Sequence, residues 1–143
     1  YAHKEPMQSY THMNQALAHP LGANFKEVIA IADYSKGKWK LSTKLTLVKV
    51  GMDSVHTHYG QNIFASDFDA QGDGGEYSYG NFNGQGVATQ IQTLHTEVVY
   101  SLKWFDVFGS VFYKKKKSDL VDQNSLWYSL GIRTFPFSVF QDY

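Results

Sequence analysis

Between Asn24 and Val50 the sequence repeats with a period of two, and that period constrains the fold more tightly than any other feature of the chain. The even positions Lys38, Lys40, Ser42, Lys44 and Thr46 are polar, while the odd positions Trp39, Leu41, Thr43, Leu45 and Leu47 are mostly large and apolar. In an extended strand such side chains sort onto opposite faces. Ser35, Lys36 and Gly37 read as a tight turn before this run, with glycine supplying a positive φ. In the run before the turn, Glu27 and Asp33 share parity with Ile29 and Ile31, and Val28, Ala30, Ala32 and Tyr34 lie opposite. The carboxylates assign the first set to the polar face. The whole stretch is a β-hairpin.

Both runs exceed the roughly 9–11 residues with which a tilted strand crosses a bilayer, whereas strands of soluble domains are usually about 5–6 residues long. Long segments that alternate apolar and polar, with aromatics near their ends, are the pattern of transmembrane barrels. The expected fold class is therefore all-β, an antiparallel transmembrane β-barrel, with the odd face of the second run against lipid. Ten Tyr, ten Phe and three Trp among 143 residues suit the aromatic girdles of such barrels. The thirteen basic and thirteen acidic residues balance, so no nucleic-acid partner is expected. The sequence has no cysteine, which excludes a disulfide framework and leaves the compartment open.

Along the chain, residues 1–23 read as a loop, with one short helical piece over Met13 to Ala18 that Pro20 would stop. The hairpin follows at 24–50. From Gly51 to Gly86 the period vanishes into Gly, Asp, Asn, Ser and Tyr, giving a long loop of the kind that tends to carry function. A second hairpin is expected over 88–115. In its first strand Leu94, Thr96, Val98, Tyr100 and Leu102 share one face, and His95, Glu97, Ser101 and Lys103 the other. Residues Lys103 to Asp106 read as its turn, and Val107 to Lys115 as a strand whose faces the sequence does not assign. The basic run Lys114 to Lys117 reads as a solvated strand end and loop. The last strand is expected over 125–137, with Tyr128, Leu130, Ile132 and Thr134 opposite Ser129, Gly131 and Arg133, and Pro136 near its end.

On this reading the connections run short, long, short, long, matching barrels with short periplasmic turns and long external loops. That places the 51–86 loop outside. About five strands cannot close a bacterial barrel, and open edges are not tolerated in lipid. The chain is therefore expected to be the C-terminal part of one larger barrel domain, or to pair with other outer-membrane proteins.

Three stretches carry a family resemblance: Ala16-Leu17-Ala18-His19-Pro20-Leu21-Gly22-Ala23-Asn24-Phe25-Lys26-Glu27, Val50-Gly51-Met52-Asp53, and Asn62-Ile63-Phe64. They resemble the C-terminal part of the Wzi-like capsule assembly family of outer-membrane barrels, in particular its RemB-like gliding-motility members in the Bacteroidetes. The resemblance implies a non-enzymatic barrel of the bacterial outer membrane with a lectin-like role in holding exported polysaccharide. An outer-membrane component of a secretion or adhesion assembly is the alternative, and a soluble β-sandwich binding module, with the apolar face packed on a second sheet, is another.

Candidate site residues lie mostly in the long loop. Tyr59, Asn62, Tyr77, Tyr79, Asn81 and Phe82, with Asn83 beside them, combine flat apolar rings with amide and hydroxyl groups, the two kinds of contact that sugars need. The same composition describes an aromatic loop packed on itself. Asp67, Asp69, Asp73 and Glu76 offer the oxygens of a calcium loop, but Ser78 stands where an EF-hand has its bidentate glutamate, so a hydrated acidic loop is the default. No other cofactor is expected. His56 and His58 share a face in extended chain without an identifiable third ligand, and His3, His12 and His19 read as structural. Glu27, His95, Glu97, Lys103 and Arg133 are expected to point into the barrel lumen as a polar network. Ser101 near His95 and Glu97 is the nearest approach to a nucleophile and base, but every lumenal residue shares that parity, so no enzyme is expected.

Overall fold

A computed structural model describes residues 7, 11–13, 15–54, 57–62, 64–66, 80 and 82–134. It is all-β, with no α-helix among the described residues. The strands are β1 (Thr11–His12), β2 (Gln15–Ala16), β3 (Phe25–Lys36), β4 (Trp39–Met52), β5 (Val87–Ser101), β6 (Phe105–Ser118) and β7 (Asp122–Thr134). β1 and β2 form a two-stranded ladder, and β3 to β7 form a five-stranded antiparallel sheet in sequence order. The helical piece expected over Met13 to Ala18 is absent, because Met13 takes a φ of +47° and turns the chain back so that His12 pairs with Gln15.

Three of the four connections in the sheet are short turns, two residues between β3 and β4 and three residues at the other two. Gly37 and Lys38 join β3 to β4, with Gly37 at a φ of +59°, as a primed hairpin turn demands at its first position. Leu102, Lys103 and Trp104 join β5 to β6, closed by Leu102 N–H donating to Phe105 O at 2.9 Å. Asp119, Leu120 and Val121 join β6 to β7, closed by Ser118 N–H donating to Val121 O at 2.8 Å. The last corrects the expected loop after Lys115. All four lysines from Lys114 to Lys117 lie inside β6, alternating between its faces, and Ser118 Oγ accepts the N–H groups of Leu120 and Val121 to make the turn. The expected short-long alternation of connections therefore fails, and 53–86 is the one long connection in the sheet.

Contacts between strands fix the faces. Asn24 O accepts Gly51 N–H, and this bond and the Gly37-Lys38 turn share a single register that sets Val28 opposite Leu47 and Tyr34 opposite Leu41. Lys38 O accepting Ser101 N–H, the tilted Trp39–Tyr100 ring pair at 4.7 Å and the Thr43–Thr96 hydroxyl contact at 3.4 Å agree on the β4–β5 register. His95 against Phe112 and Ser110 bonded to Ser129 at 2.5 Å do the same for β5–β6 and β6–β7. One face of the sheet thus carries the even positions of β3, β5 and β7 with the odd positions of β4 and β6. This is the apolar face read from the sequence, and β6 now contributes Val107, Gly109, Val111 and Tyr113 to it.

The chain divides into two compact units: a loop unit, Tyr1–Val28, Leu47–Ile91 and Lys116–Gln123, and a sheet unit, Ile29–Thr46, Gln92–Lys115 and Asn124–Tyr143. In the sheet unit the apolar face is solvent-exposed: Tyr34, Trp39, Leu41, Leu45, Leu94, Val98, Leu102, Val107, Val111, Leu126, Tyr128, Leu130 (88% exposed) and Ile132 all lie on it. Ile29, Ile31 and Trp127 are exposed on the other face. In the loop unit burial favours the polar parity instead, where Val48, Val50 (2% exposed) and Thr89 are covered.

Candidate functional site

The loop unit is held by a polar clasp built on Asn24. This residue sits at a φ of +63°, a conformation that asparagine tolerates better than most residues. Its Nδ2 donates to the carbonyls of Gly51 at 2.8 Å and Gln85 at 2.7 Å, and its Oδ1 accepts Gly84 N–H at 2.6 Å. One side chain therefore ties the start of β3 to the end of β4 and to the approach to β5. Gly51 permits this closeness, since a Cβ there would lie 1.8 Å from Gln85 O. Gly86, at a φ of +93°, admits the Tyr59 ring, 2.8 Å from where its Cβ would stand.

A second set of bonds folds the beginning of the long loop onto the same strand end. Asp53 N–H donates to Gln61 Oε1 at 2.6 Å, Gln61 Nε2 donates to Gly51 O, and Asp53 Oδ1 accepts Tyr59 N–H at 2.6 Å. Ala23 N–H reaches Gly60 O at 3.1 Å. His58 is 7% exposed, its Nδ1 lying 3.7 Å from Asp53 Oδ2 with no hydrogen-bond partner among the described residues. Before β3, Leu21 N–H donates to His19 Nδ1 at 3.2 Å, which leaves Nε2 to carry the proton and donate to Glu27 Oε2 at 3.1 Å. The His19 ring stacks on Phe25 at 4.3 Å.

Beside the clasp lies an open depression of about 380 Å³ lined by Asn24, Phe82, Asn83 and Gln85. Phe82 presents an exposed ring, and Asn83 an exposed amide. Gln85 Oε1 accepts Phe82 N–H at 3.3 Å, fixing the backbone beneath the ring. An aromatic face next to amides can hold a polar ring compound by stacking and hydrogen bonding together. Of the loop residues expected to bind ligand, Phe82 is in this depression; Asn62 is exposed, its Oδ1 accepting Phe64 N–H at 3.0 Å, and Tyr59 packs on Gly86. Tyr77, Tyr79 and Asn81, the calcium candidates Asp67, Asp69, Asp73 and Glu76, and also His3 and His56, lie outside the described residues. Among the described residues no group of three or more His, Cys, Asp or Glu is placed to hold a metal.

In the sheet unit the polar face holds a separate cluster. Arg133 Nη2 lies 3.6 Å from Glu97 Oε2, and its guanidinium sits 4.9 Å over the Phe108 ring. His95 meets Phe112 edge-on at 6.2 Å. Lys103, expected beside Arg133, is instead a turn residue with Nζ 5.3 Å from the Trp104 ring, because it lies in the short connection between β5 and β6, outside the strand alternation. Glu27 instead pairs with His19 in the loop unit.

Asn24, Asp53, Gln61 and Gln85 are the site residues that periodicity alone does not reveal. The available signal was a glycine, Gly51, directly after an alternating run, where it marks close backbone approach. No family model, no curated protein and no solved structure matches the chain.

Proposed function

We propose that this chain is part of a non-enzymatic outer-membrane β-barrel that engages or organises surface polysaccharide through its 53–86 loop. The carrying observation is that most of the exposed large apolar side chains of β3 to β7, strands of 12 to 15 residues, lie on one face, with Ile29, Ile31 and Trp127 on the other. Water gives no reason for such a surface, since contiguous exposed apolar patches beyond a few hundred Å² mark interaction or membrane sites. From Trp39 to Leu47 β4 advances about 27 Å, which at a barrel tilt of about 40° gives roughly 20 Å of height, close to the apolar band of such barrels. Trp39, Tyr100 and Tyr34 cluster near the short turns, as interfacial aromatics do.

The polysaccharide part rests on the Phe82 depression and on the resemblance to capsule-assembly barrels, whose three stretches include the clasp residues Asn24, Gly51 and Asp53. The clasp gives the loop a rigid base, and specificity on a barrel is usually carried by loops on a rigid wall. Deleting residues 67–79 while keeping Phe82 to Gly86, and so the Asn24 bonds, tests the reading. It predicts normal assembly with loss of surface polysaccharide. Loss of motility alone points instead to a secretion or adhesion partner, and unchanged retention and motility contradict a binding role for the loop. Recovery of the protein from cells without detergent contradicts the membrane reading and favours the soluble sandwich.

A further inference from the structure

Within the loop unit the outer face of the sheet changes from apolar to basic in one step along each of two strands, from Val28 to Lys26 on β3 and from Leu47 to Lys49 on β4. The β3–β4 register sets Lys26 directly opposite Lys49. The β4–β5 and β5–β6 registers carry the same cross-strand row through Gln90 to Lys117 on β6. All three lysines are exposed, and none forms an ion pair among the described residues. Asp122, opposite Lys117 at the far end, is the row's carboxylate. Like charges directly opposed across an antiparallel pair are destabilising unless a counter-charge joins them. Strands about 4.8 Å apart place the Lys26 and Lys49 ammonium groups within reach of one anion, and lysine serves as a flexible point-charge ligand for phosphate.

We propose that Lys26, Lys49 and Lys117 bind the phosphate of an anionic lipid whose acyl chains lie along Val28 and Leu47. The assignment rests on the membrane reading above and adds a ligand class to it. The position decides between anions: a basic row bordering an exposed apolar surface matches a molecule with a charged head and an apolar tail.

The test reconstitutes the protein in phosphatidylcholine vesicles doped with phosphatidylglycerol and counts retained lipids by native mass spectrometry. The triple variant K26Q/K49Q/K117Q is compared with K40Q/K44Q/K114Q, which removes the same charge from the opposite face. The expected result is a several-fold preference of the wild type for phosphatidylglycerol, weakened by salt, lost in the first variant and kept in the second. Equal retention by wild type and the first variant, or equal loss in both variants, overturns the proposal. Displacement of the lipid by millimolar inorganic phosphate overturns the lipid assignment in favour of a free-anion site. Flotation of all three proteins with undoped vesicles tests the membrane reading separately; failure of the wild type to insert overturns that reading and this proposal with it.

Discussion

The loop unit and the sheet unit are built from the same strands but are held by different physics. In the loop unit the close contacts are polar and backbone-based: three bonds from Asn24, two from Gln61 and a glycine with a carbonyl where its side chain would be. In the sheet unit the strands are ladders and, apart from the buried Val99, most of their large apolar side chains are exposed. Apolar area left in water forgoes roughly 25 cal/mol per Å², and on the membrane reading proposed above lipid would cover the apolar face.

The comparison breaks most sharply at Gly51. Gly51→Ala forces a Cβ against Gln85 O, a backbone atom with no side-chain freedom to yield, and is expected to cost at least about 3 kcal/mol, read as a lowered midpoint of denaturant unfolding in vesicles. A wild-type midpoint would show that the clasp is looser than the geometry states. Leu45→Arg on the apolar face is expected to destabilise the bilayer-inserted protein by about 2–4 kcal/mol, with Lys44→Arg on the other face nearly neutral; equal effects at the two positions would remove the distinction between faces. Asn24→Asp keeps the shape but sets a carboxylate oxygen against the carbonyls of Gly51 and Gln85, and a loss of about 2 kcal/mol is expected. Asn24→Gly, which suits the positive φ, should not restore it. The smallest effect belongs to Glu97 and Arg133: the pair is partly exposed, so a double-mutant cycle should give a coupling below about 1 kcal/mol.

Much of the sheet is legible in the sequence because a two-residue period is a direct image of the pleat. The faces of Leu41 and Leu45, Leu94 and Val98, and Leu130 and Ile132 follow from parity alone. The carboxylate rule at Glu27 and Asp33 chose the right face of β3 even though Ile29 and Ile31 share it. Parity misled where composition imitated a loop. The basic run Lys114 to Lys117 read as a strand end and loop, yet long lysine stems suit either face of a strand, so the strand runs on to Ser118 and the turn is made by Asp119 and Leu120 under the Ser118 hydroxyl. Parity was also silent at Val48 and Val50, where the polar face of β4 becomes a buried one. The clasp was hidden for a further reason: Asn24 joins residues 27 and 61 positions away, and no local pattern encodes such a distance. Phe82 was legible as an aromatic among asparagines, but its placement against Asn24 was not.

The central claim is that the odd positions of β4 face lipid. These 143 residues contain no cysteine, so single cysteines at Leu41, Ser42, Lys44, Leu45, Thr46 and Leu47 can carry nitroxide labels without background from the chain itself. Collision with oxygen, which concentrates in the bilayer, and with a water-soluble nickel complex separates three environments. The expected result is oxygen above nickel at Leu41, Leu45 and Leu47, and the reverse order at Ser42 and Lys44. Nickel above oxygen at the odd positions, or shielding from both reagents as a second packed sheet would impose, would contradict the account.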